Sequence, residues 1–197
     1  HSHPRINQVI SVQSNQLMHL GTRYPSRLSE EAAVEVLSLT GVDGKCVFLS
    51  SGSEAVEFGT QMIRLATGRK KLLAFTNSYL AAYGSAGQKR SEEWYLVDWT
   101  ALSDIDEDDR LAGIPLDQLG GFVFEAGGSG SMLVKFPPKK IVQTIVRRVH
   151  QAGGWVMANE VTAGMGRTGR WFGYQNYDFQ PDIVSLGKGL GNGYPVS

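Results

Sequence analysis

The sequence predicts an α/β fold in which a mostly parallel (mixed) sheet carries helices on both faces. Short apolar runs of strand length alternate with helix-length amphipathic segments, the pattern of successive βαβ units. The 24 glycines fall between these runs rather than in one tract, as tight strand-to-helix turns require. At 197 residues the chain is long enough to bury the core of one domain or a little more.

The elements follow in order. Arg5 to His19 has helical spacing through Ile6, Val9, Ile10, Val12 and Leu17,. Ser29-Glu30-Glu31 reads as the cap of a helix running to about Leu39 and ended by Gly41,. Lys45 to Leu49 reads as a short strand. Ser53 reads as the cap of a helix through Glu54, Val56, Met62, Ile63 and Leu65, closed by Gly68,. Leu72 to Phe75, Trp94 to Val97 and Gly121 to Glu125 are further strands. Pro137-Pro138 opens a basic helix that reaches Gln151 and Gly153, and Trp155 to Ala158 and Ile183 to Leu186 complete the series. In such sheets ligands bind at the carboxyl ends of the strands. Ser51-Gly52-Ser53, Glu125 and Asn159 all fall at such ends.

Composition excludes several functions. Lys plus Arg and Asp plus Glu number 19 each, so no net field favours nucleic acid or an anionic membrane. The acidic run from Asp104 to Asp109 reads as a solvated loop. Cys46 is alone, which rules out a disulfide framework and fits a reducing, cytoplasmic compartment. No apolar stretch is long enough to span a bilayer, and the first residues do not resemble a signal peptide.

The most informative segment is Pro181 to Gly193, where Lys188 stands between Gly187 and Gly189 directly after an apolar run. A lysine amine is nucleophilic only when deprotonated, and burial lowers its pKa. Flanking glycines let a flat ligand approach the backbone. This is the arrangement expected of a lysine that forms a Schiff base with a carbonyl cofactor such as pyridoxal phosphate; the other reading is a solvated lysine in a flexible turn. Ser50 to Ala55 combines a small-residue turn with a helix start, which offers N–H groups to a phosphate or simply caps the helix. Asn159-Glu160-Val161-Thr162 places polar groups just past a buried run, to address a ligand edge or to cap a loop. In Phe75-Thr76-Asn77-Ser78-Tyr79 an aromatic residue ends a strand, to stack on a flat ring or to pack in the core,. Gly164-Met165-Gly166-Arg167-Thr168-Gly169 has the spacing of a dinucleotide-binding turn, but two aromatics and a glycine follow where a helix should begin,. Of the four histidines, His1 and His3 lack a third metal ligand nearby, and His150 lies on the basic helix, facing away from the strand ends.

Four segments in this order resemble the class III, or ω-aminotransferase-like, branch of fold type I pyridoxal-phosphate enzymes. His1-Ser2-His3-Pro4 is similar to the end of the family's Gly-His-x-His-Pro segment. Ser51-Gly52-Ser53-Glu54-Ala55 resembles its phosphate turn, Glu160 to Gly169 its Asp-Glu-Val-x-x-Gly-x-Gly-Arg-Thr-Gly block from the second residue onward, and Pro181 to Gly189 its lysine segment. The resemblance implies that residues 1–197 form most of a large cofactor-binding domain, with an N-terminal segment and a C-terminal small domain outside them. It implies pyridoxal 5′-phosphate on Lys188, which also moves the proton between substrate and cofactor. It further implies that Gly52 and Ser53 hold the phosphate, that Tyr79 and Val161 cover the two faces of the ring, and that Thr162 lies near the phenolic oxygen with Glu125 beside it. No metal is implied. Small-molecule amine or amino-acid donors, keto-acid or aldehyde acceptors and a homodimer are expected, so the activity implied is amino-group transfer.

The sequence departs from the family at Asn159, where an aspartate ordinarily keeps the pyridine nitrogen protonated; a neutral amide supplies no such charge. Leu80-Ala81 replaces the usual His-Gly, and Ala126 a usual proline. These changes bear on the rate of transamination more than on cofactor binding. Racemase, aminomutase or decarboxylase chemistry on the same cofactor is one alternative, and a degenerate, non-catalytic member is another.

Overall fold

The computed structural model describes residues 2–21, 23–102, 111, 113–128 and 134–197. His1 and the acidic run 104–109 therefore lie outside the described residues. The chain divides into two compact units, His1–Val47 and Phe48–Ser197.

The first unit holds two helices. α1 (Pro4–Gln16) starts at a proline, which tolerates the first helical position because it has no N–H to satisfy there,. It ends before Leu17 rather than continuing to His19, and none of its residues is buried. α2 (Arg27–Thr40) ends where Gly41 turns left-handed at φ +66°, as the sequence indicated. Its cap is Ser26, not Ser29: the Ser26 hydroxyl accepts the Ser29 N–H at 3.4 Å, and Ser29 already lies inside the first turn.

In the second unit, α3 (Gly52–Thr67) is closed by Gly68 at φ +68°. Its cap is Ser51 rather than Ser53. Ser51-Gly52-Ser53-Glu54 has the S-x-x-E spacing that selects the first serine. The Ser51 hydroxyl accepts the Glu54 N–H at 3.3 Å, while Glu54 Oε2 accepts the Ser50 N–H at 2.9 Å. Then follow β1 (Lys71–Phe75), α4 (Gly84–Gln88), β2 (Trp94–Val97), β3 (Leu119–Phe124), α5 (Lys139–Gln151), β4 (Trp155–Asn159) and β5 (Ile183–Ser185). The expected strand from Lys45 to Leu49 does not form. A strand exists only by pairing, and from this run Leu49 alone finds a partner among the described residues. Leu49 and Ser197 exchange both backbone hydrogen bonds, at 2.9 and 2.8 Å, which is an antiparallel pair.

All five strands are parallel, in the order β2-β1-β3-β4-β5. Val56 and Ile63 of α3 form one core cluster with Leu72, Ala74, Val123 and Met157. These strand positions share one face by the two-residue alternation of β-structure. Phe75, Phe122 and Phe124 project from the other face and meet edge-on, with Phe75 and Phe122 centroids 5.2 Å apart,. α5 packs along β3 and β4 and buries Ile141, Val142, Ile145, Val146 and Val149, none of which belongs to the α3 cluster. Helices therefore cover both faces, which is why β3 is buried at every position.

The strand order sets the position of a crevice. After β1 the chain moves outward to β2, while after β3 it moves the opposite way to β4. The loops leaving β1 and β3 thus diverge from neighbouring strands, and ligands bind at such a switch point. His150 sits at the opposite end. Its Nε2 lies 2.9 Å from Asp182 Oδ2, just before β5 begins, so it faces away from the carboxyl ends as the sequence indicated.

Candidate functional site

The eight residues singled out in the sequence all lie at the carboxyl ends of the strands or at the start of α3. Glu125 directly follows β3, and Asn159 is the last residue of β4; each is 1% exposed. Glu125 Oε2 accepts the Tyr79 N–H at 2.7 Å, bridging the two loops of the switch point. Asn159 Nδ2 points at the carbonyls of Tyr79 and Leu80, at 3.4 and 3.5 Å. Its Oδ1 accepts the Val161 N–H at 3.3 Å and the Ser185 hydroxyl at 3.4 Å. The amide of Asn159 is thus addressed at both ends by protein groups.

α3 joins this cluster by its N-terminus. The N–H groups of Gly52 and Ser53 are first-turn donors with no carbonyl four residues back to receive them. The Ser53 hydroxyl accepts the Ala82 N–H at 2.9 Å, tying α3 to the loop beyond Tyr79. Gly52 must be glycine, because a Cβ there would stand 2.5 Å from Val161 Cγ1. Gly187 packs against both at tight range: a Cβ there would lie 3.3 Å from the Gly52 Cα and from Val161 Cγ1. The helix start, the loop after β4 and the lysine loop are therefore in mutual contact around the Val161 side chain.

Lys188 opens a short 3-10 turn, Lys188–Leu190, in left-handed backbone at φ +40°. Non-glycine residues adopt that conformation at a cost. Its Nζ donates to Thr162 Oγ1 at 2.8 Å. The sequence left open a buried nucleophile or a solvated lysine in a turn; the Lys188 side chain is exposed in the chain. The reason is local: Gly187 and Gly189 contribute no side chain to cover it, and the turn sits at the open rim of the sheet. Tyr79 is also 45% exposed.

Glu160 was quoted in the sequence only as part of a motif. It is 1% exposed, and its two carboxylate oxygens accept the N–H groups of Gly173 and Tyr174 at 2.6 and 2.9 Å. Burial pushes its pKa from the ordinary 4.5 up to about 7; the two N–H donors act in the opposite direction, and the negative charge of Glu125 adds to the rise. In sequence this residue looks like any acid beside a strand, because its partners lie in the 3-10 turn Gly173–Asn176. A carboxyl whose folded pKa is raised binds more protons folded than unfolded, so stability falls as pH rises from about 4.5 through about 7,. Urea unfolding across that range is expected to show this slope in the wild type and to lose it in Glu160→Gln; an unaltered slope would place its origin elsewhere.

The segment Gly164 to Gly169 is a series of turns followed by bends, not a helix start, so its dinucleotide spacing is coincidental. Among the described residues no helix is long and apolar enough to cross a membrane.

Comparison with known proteins bears on the family and the fold. The model of the family described as Aminotransferase class-III matches residues 1–84 and 109–197. Acetylornithine aminotransferase of Aquifex aeolicus is 29% identical, the match covering 100% of this chain and 55% of that protein. A [LysW]-aminoadipate semialdehyde/glutamate semialdehyde transaminase of Sulfurisphaera tokodaii is 28% identical, over 100% of this chain and 52% of its own length. The chain spans about half the length of the curated relatives it matches. Among solved structures, an S-selective transaminase from Arthrobacter sp. with alanine bound superposes with a TM-score of 0.85 at 24% identity, over 99% of this chain and 50% of that one. Taurine:2-oxoglutarate aminotransferase of Bifidobacterium kashiwanohense, in complex with PLP and glutamate, gives 0.83 at 21% identity, over 100% and 51%. At these identities the structures establish the fold.

Proposed function

The chain belongs to the class III aminotransferases, and from that membership we propose that the protein transfers an amino group between an amino-acid or ω-amine donor and a keto-acid or aldehyde acceptor, with pyridoxal 5′-phosphate held on Lys188. The observation that carries the reading is the Lys188 amine, 2.8 Å from Thr162 Oγ1 on a loop packed against the start of α3. An amine for an aldehyde and a helix N-terminus for a phosphate are thus brought to one end of one sheet.

The donor set fits the cofactor. The N–H groups of Gly52 and Ser53, with the positive end of the α3 dipole behind them, would hold the phosphate. Tyr79 and Val161 would cover the two faces of the ring, Asn159 would face its nitrogen, and Thr162 would lie beside the phenolic oxygen with Glu125 near. Bound pyridoxal phosphate supplies an aldehyde to the amine and a ring that takes up electron density from the substrate. Lys188 carries the proton to and from the substrate carbon, with Thr162 orienting its Nζ. Exposure of Lys188 and Tyr79 in the single chain supports a homodimer whose sites close at the interface, and the lone Cys46 supports a cytoplasmic setting.

Asn159 favours a second reading. A neutral amide leaves the ring a weaker electron sink, as a racemase, aminomutase or decarboxylase, or a member that has lost catalysis, would tolerate. Borohydride reduction of the full-length protein incubated with pyridoxal phosphate, followed by peptide mass mapping, tests the primary reading. A reduced adduct on Lys188 is expected. A folded protein without one would overturn the proposal and leave the non-catalytic reading in its place.

A further inference from the structure

The peptide group between Ser78 and Tyr79 is held at both of its polar ends by charged side chains. Its N–H donates to Glu125 Oε2 at 2.7 Å. Its carbonyl accepts from the Lys89 ammonium. A cation on the oxygen and an anion on the N–H both match the sign of the peptide dipole, and hydrogen bonds to ionised groups are about twice as strong as neutral ones. We propose that Lys89 is a positioning residue for cofactor binding: with Glu125 it fixes the plane of the Ser78–Tyr79 peptide, and through it the direction in which the Tyr79 ring leaves the backbone.

Three further observations support this. Lys89 terminates α4 in left-handed backbone at φ +46°, where glycine is the usual residue. A lysine there bears a conformational cost, which points to a use for its side chain. Its ammonium is half-buried, and burial lowers its pKa while the charge of Glu125 works to raise it, so the two groups sense each other. Ser78 itself is buried, and its hydroxyl has no hydrogen-bond partner among the described residues. The serine side chain therefore does not anchor this turn, which leaves the backbone group to do so.

The proposal rests on the reading of Tyr79 as a ring-covering residue, so its test separates the two. In the full-length protein, the dissociation constant for pyridoxal phosphate is measured by visible absorbance and induced circular dichroism. Wild type, Lys89→Met, Tyr79→Ala and the double variant are compared, with thermal melting as the control for folding. Lys89→Met is expected to weaken binding about tenfold, as loss of one charge-assisted hydrogen bond does, and to reduce the induced dichroism. On the Tyr79→Ala background the same substitution is expected to change nothing, because the side chain it positions is gone. Equal weakening in both backgrounds, or wild-type affinity in Lys89→Met, overturns the proposal. Lys89→Arg keeps a donor and is expected to fall between wild type and Lys89→Met; it carries the same comparison if the methionine variant does not fold. Wild-type protein that takes up no pyridoxal phosphate overturns the functional reading, and this one with it.

Discussion

Lys188→Ala is expected to abolish the borohydride-trapped adduct and to lower turnover at saturating substrate and cofactor by at least about 10²–10⁴-fold, the share that a positioned proton-transfer group supplies. The substitution acts on two functions at once. It removes the amine that the cofactor aldehyde would condense with, and it removes the proposed base, hydrogen-bonded to Thr162 Oγ1. It leaves the core intact, because the Lys188 side chain is exposed and the contacts among Gly52, Val161 and Gly187 do not involve it. Melting temperature without cofactor is therefore expected to match the wild type, since alanine keeps the Cβ and with it the cost of left-handed backbone at φ +40°,. Retained turnover in Lys188→Ala would remove this residue from the chemistry.

Asn159→Asp is expected to act in opposite directions on rate and on stability. A carboxylate beside the ring nitrogen favours its protonated form and so strengthens the electron sink. Each pKa unit corresponds to about 1.4 kcal/mol, or about tenfold in rate if fully expressed, and stopped-flow half-reactions are expected to accelerate by about that factor. The cofactor-free protein is expected to lose about 1–3 kcal/mol in urea unfolding. Nδ2 now faces the Tyr79 and Leu80 carbonyls, and an oxygen in its place would confront two acceptors with no proton between them. Unchanged half-reaction rates would show that the asparagine is no brake. Unchanged apo stability would mean that the two carbonyls make no demand on the amide.

The parts of this fold that were legible in the sequence are those decided by local chemistry. Gly41 and Gly68 end their helices because a left-handed closing residue is a property of the turn itself,. Trp94–Val97 was read at its observed bounds, since aromatic and branched apolar residues favour a strand locally, even at the sheet edge where Leu96 stays exposed. The strand expected from Lys45 to Leu49 failed for the converse reason: its apolar character is local, but pairing depends on a segment elsewhere, and among the described residues the backbone of this run pairs only at Leu49, with Ser197. α4 was missed because its five residues are Gly-rich and its Ala86 N–H is satisfied by Glu57 Oε1, at 2.6 Å from a different helix. The site divides the same way. Motif order singled out its candidate residues, whereas the approach of Asn159 to Tyr79 across 80 positions follows from strand order. The Lys89 clamp left no trace in the sequence, since neither a lysine after a short helix nor an acid after a strand announces a partner.

The switch-point arrangement also bears on how the protein acquires its cofactor. The site draws on positions 52, 79, 125, 159 and 188, brought together only when β1, β3, β4 and β5 are in register. Contacts of such sequence separation form late and slowly. No fragment of the chain presents both the phosphate donors and the lysine, so pyridoxal phosphate has little to hold in an unfolded or half-folded molecule. It acts by mass action on the finished sheet, stabilising the native state in proportion to its free concentration, and a newly made chain must complete its topology before the cofactor can contribute.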